Sequence, residues 1–96
     1  MNELLELQKI IGYKFKNSKL LNQALTHSSF SKSKDNYERL EFLGDRVLGL
    51  IISNEIFDFF EKDEEGELAK KLSILVCKDT LKKIASNIKL KNFLKL

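Results

Sequence analysis

The residues best able to do chemistry are three carboxylates in one short stretch, Glu38, Glu41 and Asp45, within NYERLEFLGDRVL from Asn36. They are spaced three and then four apart, so on a helix all of them project from one face within about two turns. Glu41 and Asp45, one turn apart, are suited as hard oxygen ligands for Mg²⁺, an ion held by a few carboxylates together with water and phosphate oxygens. The same spacing also fits an ordinary solvated face. There, like-charge neighbours cost only ~0.2–0.5 kcal/mol each, with Arg39 and Arg46 alongside to offset them. Geometry leaves both readings open. The surroundings favour chemistry, because the acids are set among Leu40, Phe42, Leu43, Val47 and Leu48. Gly44 also stands in a helix where Ala would be more stable by about 1 kcal/mol, which predicts close approach of another backbone or ligand.

The element that positions these acids is a long helix from Tyr37 to about Phe60. Its stripe is Leu40, Leu43, Val47, Leu50, Ile51, Asn54 and Phe57 or Asp58 at three- and four-residue steps. Leu48, Ile52, Ile56, Phe59 and Phe60 widen the apolar surface, so the helix must be central or bury a second face against another subunit. Before it, Leu4, Leu5, Leu7, Ile10 and Ile11 form a first amphipathic helix that stops at Gly12. A second, short helix follows, with Asn17 and Ser18 both possible N-caps and Leu20, Leu21 and Ala24 continuing to Leu25. Ser28 to Asn36 reads as an exposed loop, and Glu61 to Gly66 (EKDEEG) as an acidic turn. Leu68, Leu72, Leu75 and Val76 form a further helical stripe, and another helix beginning near Lys78 or Asp79 carries Leu81, Ile84 and Ala85. Ile88 to Leu96 is ambiguous between extended chain and a helical start, and reads as a chain stopping within a domain.

Composition agrees with an all-α class: Pro is absent, Gly numbers four, and Leu, Ile, Lys and Glu dominate. Ninety-six residues make one small domain, with no repeat, low-complexity tract or composition shift to mark a second. The net charge of +3 gives at best weak, non-specific attraction to nucleic acid. Neither a signal peptide nor a membrane span fits the N-terminus with its Glu3 and Glu6. The single cysteine, Cys77, excludes an intrachain disulfide or a cysteine metal cluster and reads as a small apolar filler. A reducing, cytoplasmic setting is expected, with no membrane and no small-molecule cofactor. Among lesser candidates, His27 has no assignable triad partners and reads as structural or capping. Lys32, Lys34, Lys70 and Lys71 are candidate phosphate contacts or simply solvated. Phe57, Phe59 and Phe60 read as core or dimer interface.

YERLEFLGDRVLGL closely resembles the signature of the ribonuclease III family, an ERLEFLGD core followed by a small or basic residue and an apolar run. LLNQALTHSSF upstream and EGELAKKLSILVCKDTLKKIA downstream look like the segments flanking that signature, so the resemblance covers nearly all of Leu4 to Phe93. It implies an all-α, endonuclease-domain-like helical bundle that is cut short before its last helices. Residues 1–96 would then be the N-terminal part of a nuclease domain, without the double-stranded-RNA-binding domain. It further implies that Glu41 and Asp45 are catalytic and coordinate Mg²⁺, or Mn²⁺, and that Glu38 and Glu65 line an acidic valley for RNA. The implied reaction is two-metal hydrolysis of double-stranded RNA to 5′-phosphate and 3′-hydroxyl ends in rRNA and mRNA processing, carried out by a homodimer. The family draws two further ligand acids from a later helix, so these 96 residues alone are expected to be inactive. The alternative is a catalytically incomplete dimerisation or RNA-binding module of the same fold.

Overall fold

The computed structural model describes residues 2–30 and 36–95, and these form helices with no strand element among them. The elements are α1 (Asn2–Ile11), α2 (Ser18–Ala24), α3 (Glu38–Phe59), α4 (Glu65–Leu75), α5 (Lys78–Asn87) and a 3₁₀ turn, Leu90–Phe93. The all-α expectation therefore holds. The chain divides into two compact units, one of residues 1–41 and 85–96 and the other of residues 42–84, so the boundary runs through α3.

In the first unit Leu7, Leu21 and Leu25 are buried, with Leu4, Phe15, Leu90, Phe93 and Leu94 packed around them. α1 ends where the sequence places its stop, at Gly12 with φ 71°, a conformation that favours glycine. Of the two possible caps for α2, Asn17 is used: its side chain accepts the Lys19 N–H at 3.0 Å. The ambiguous C-terminal stretch resolves into the 3₁₀ turn, after which Lys95 bridges back to Thr26. Lys95 donates its N–H to the Leu25 carbonyl and accepts the His27 N–H, both at 2.8 Å.

One loop boundary differs from expectation. Asn36, assigned from sequence to an exposed loop, is buried, and its side-chain oxygen accepts the Glu38 N–H at 2.9 Å. It caps α3, because one of the orphan donors at a helix start is satisfied most cheaply by a short polar side chain. Residues 31–35 of the same loop, including Lys32 and Lys34, lie outside the described residues.

In the second unit the acidic turn is shorter than EKDEEG suggested, since Glu65 and Gly66 already belong to α4. The Glu67 carboxylate accepts the Glu64 N–H at 3.2 Å and closes the helix start. Lys71 of α4 forms an ion pair with Asp63 and sits 4.3 Å from the centre of the Phe60 ring, which meets Phe59 edge-on at 4.9 Å. Lys71 is thus neither a free phosphate contact nor merely solvated. Val76, expected in the α4 stripe, is its C-cap.

Candidate active-site acids on the long helix

Glu38, Glu41 and Asp45 occupy the first two turns of α3, and all three are exposed. At about 100° per residue they fall within an arc of roughly 60°, and residues one turn apart hold their Cβ atoms about 5–6 Å from each other. Glu41 and Asp45 are such a pair. No described cation or hydrogen-bond donor answers any of the three carboxylates, because the one ion pair among the described residues is Lys71 with Asp63. The nearest sequence candidate for neutralising them, Arg46, is turned away and lies over the Phe42 ring at 4.9 Å. The acid face is thus not a self-compensated surface, and it presents hard anionic oxygens to solvent.

Continued along α3, the line that carries Glu41 and Asp45 reaches Ile52, half-buried, and Ile56, the buried residue of this helix. The stripe picked out by the sequence spacing is on the other side. Phe42, Leu43, Val47, Leu50, Ile51 and Phe57 are exposed, Leu50 by 72%, and all but Phe42 lie in the half of the helical wheel opposite the acids. Phe59, at 81%, is likewise not core. Of the two places the sequence allows for these rings, core or interface, Phe57 and Phe59 are therefore not in this chain's core, and only Phe60 is half-buried, under Lys71. The pattern misled because α3 is apolar over more of its circumference than one neighbour can cover.

Glu65 is the first residue of α4 and is exposed. Among the described residues no three His, Cys, Asp or Glu side chains converge closely enough to hold a metal ion. Two carboxylates therefore fit part of a Mg²⁺ shell, with water and phosphate oxygens as the natural complement. A Cβ added at Gly44 would meet nothing within 4 Å, so no close approach among the described residues explains that glycine. Of the structural or capping role expected of it, His27 has the structural one, within a turn: its Nδ1 accepts the Ser29 N–H at 3.0 Å, so the Ser29 hydroxyl, 2.7 Å away, must donate to it as well. Its ring meets Tyr37 edge-on at 5.4 Å.

Cys77 contradicts the filler assignment, for it is exposed, just before α5. Its Sγ lies 3.2 Å from the Thr80 hydroxyl, which donates its own proton to the Ile74 carbonyl at 2.7 Å. Sequence reading missed this because burial of a cysteine is a strong habit, whereas a Thr three residues on signals the contact only once a helix start is placed between them.

Comparison with known proteins follows from this arrangement of helices and acids. Residues 17–96 match the family model described as Ribonuclease-III-like. The chain is 54% identical over 92 residues to the Ribonuclease 3 of Ehrlichia chaffeensis, covering 92% of this chain and 40% of that protein. To the Ribonuclease 3 of Rickettsia bellii it is 46% identical over 99 residues, covering 98% and 44%. The solved nuclease domain of ribonuclease III from Campylobacter jejuni matches with a TM-score of 0.92 at 44% identity, covering 100% of this chain and 65% of that one. A second structure of that domain, described for structural flexibility in its region involved in dimer formation, matches with a TM-score of 0.90 at 45% identity, over 95% of this chain and 63% of that one. Fold and sequence together define part of a helical domain like the nuclease domain of ribonuclease III. The chain belongs to the ribonuclease-III-like family, and it spans about 40% of the length of the first of these relatives.

Proposed function

We propose that this chain is the signature-helix part of an endoribonuclease that cleaves double-stranded RNA with Mg²⁺, or Mn²⁺, in rRNA and mRNA processing in the cytoplasm. The observation that carries the reading is the exposed pair Glu41 and Asp45, one turn apart on α3 and without an ion-pair partner among the described residues, in a chain of this family. Bound there, a divalent cation would offset the repulsion between acids and phosphate and supply Lewis-acid stabilisation of the phosphodiester oxygens. Glu41 and Asp45 hold their carboxylates out on a rigid helix, and Glu38, one turn earlier, extends the acidic line toward the RNA. Glu65 would border the same valley. Further ligand acids would come from a helix that is not among these elements. RNA duplexes are read through shape, 2′-hydroxyls and phosphates, which suits a site without base-reading pockets. The exposed apolar side of α3 would be covered by a second copy.

The test is cleavage of a duplex RNA by the complete enzyme containing this chain, in Mg²⁺. Asp45→Asn or Glu41→Gln should reduce the rate by more than the roughly 10–100-fold that loss of an outer-shell partner costs. Cleavage unchanged in both variants would overturn the assignment. A catalytically incomplete dimerisation or RNA-binding module of the same fold is the second reading, favoured by the lack of a third converging ligand among the described residues. Mg²⁺ titration of this chain separates the two: saturable binding lost in Asp45→Asn supports the enzyme.

A further inference from the structure

Apart from the acids of α3, one connector of the chain is locally basic. The stretch KIIGYKFKNSK, Lys9 to Lys19, holds four lysines and no carboxylate. All four are exposed, and none is in an ion pair among the described residues. Two of them, Lys9 and Lys14, flank a depression of about 430 Å³ at the end of α1, lined also by Leu5, Gln8, Gly12 and Tyr13. No acid lines it.

The depression is also rigidly built. Gly12 turns the chain with φ 71°, and the Tyr13 N–H donates to the Gln8 carbonyl at 3.1 Å. The Gln8 side chain then ties both ends of the turn, donating to the Leu4 carbonyl at 3.0 Å and accepting the Phe15 N–H at 2.6 Å. Phe15 packs on the core of Leu7, Leu21 and Leu25, and the Tyr13 ring stands edge-on to it at 5.1 Å. The backbone carrying Lys9, Tyr13 and Lys14 is therefore ordered in advance, which lowers the entropy lost on binding.

We propose that this lysine-flanked depression is a second contact for the phosphates of RNA, separate from the acids of α3. The proposal rests on RNA being the polymer this chain meets. Lys9 and Lys14 would each neutralise a backbone phosphate, with Lys16 and Lys19 extending the positive stretch along the connector. Such contacts position a duplex without reading its sequence, and they need no metal.

The experiment is fluorescence anisotropy of this chain with a labelled RNA duplex in EDTA, across a salt series. Lys9→Gln with Lys14→Gln should raise Kd about tenfold or more at low salt and flatten the log–log salt slope by about 1.5–2, the loss of two phosphate contacts. Lys82→Gln with Lys83→Gln, exposed lysines on α5, should change both far less. Equal binding by the first variant, or an equal loss in the second, would overturn the proposal. So would release of the RNA by anionic phosphatidylserine vesicles, which would make the surface a membrane contact. Because Mg²⁺ is absent, the result is independent of the metal-site reading, which Glu41→Gln and Asp45→Asn test in Mg²⁺. Unchanged far-UV circular dichroism shows that the glutamine variants fold.

Discussion

Replacing Lys71 with Met should destabilise the α3–α4 turn out of proportion to a surface change. In the structure the ammonium pairs with Asp63 and lies 4.3 Å from the Phe60 ring centre, while its side chain is 33% and that of Asp63 20% exposed. The cation–π contact contributes about 0.5–1 kcal/mol at such a partly covered site. The ion pair, partly screened by solvent, adds about 0.5–1 kcal/mol. Met keeps much of the apolar stem over Phe60 and loses both charge terms, so the expected cost is about 1–2 kcal/mol, or roughly 5–10 °C in Tm for a domain of this size. Lys71→Arg should keep most of the stability, because a guanidinium can serve both the ring and the carboxylate. Thermal unfolding of the single variants and of the double variant with Asp63→Asn supplies the coupling between the two residues. Hydrogen exchange at the first amides of α4 should quicken in Lys71→Met, since Glu65 begins the helix whose approach this clip fixes. A Lys71→Met protein that melts within about 1 °C of the parent would refute the reasoning, because neither charge contact would then contribute its expected share.

Asn36→Ala should cost about 1–2 kcal/mol in chemical denaturation, since it removes a buried cap from α3, and Asn36→Asp should recover most of it. Gly44→Ala should stabilise the chain by about 0.5–1 kcal/mol, as the added methyl meets nothing within 4 Å and the helix gains propensity. Weaker self-association or RNA binding in that variant would show that a partner, and not the chain, needs the glycine. Leu50→Lys should reduce self-association in light scattering with circular dichroism unchanged, because Leu50 is 72% exposed on the apolar side of α3.

Periodicity and caps made the helices legible. Gly12 and the pattern from Leu4 to Ile11 located α1, and the spacing of apolar residues from Leu40 onward located α3, because both signals are local and act within a few residues. Facing is not local. Leu43, Val47 and Leu50 have the spacing of a core stripe, yet they are exposed, since the choice between two apolar sides depends on which neighbours arrive. Glu65 was misplaced at the start of α4, and Asn36 lies in the connector as the sequence has it but is buried, because a loop residue and one that bonds a helix start look alike until the hydrogen bonds are drawn. The acids could be found by spacing, but spacing also fits a solvated face. The absence of any answering cation among the described residues is a fact of structure, and Arg46 lying over Phe42 could not be read from its position beside Asp45.

That arrangement divides α3 lengthwise. Glu38, Glu41 and Asp45 lie within one arc, and Leu43, Val47, Leu50 and Ile51 occupy the opposite half of the wheel. A partner covering the apolar half would bury enough surface to hold without touching the acids, because a helix presents its two sides in opposite directions. Association and metal binding should therefore be separable on one element. Leu50→Lys should disrupt the first and leave Mg²⁺ affinity unchanged, whereas Asp45→Asn should do the reverse. If either substitution moved both properties together, the two faces would not be independent, and the acid pair would have to draw on groups supplied through the partner.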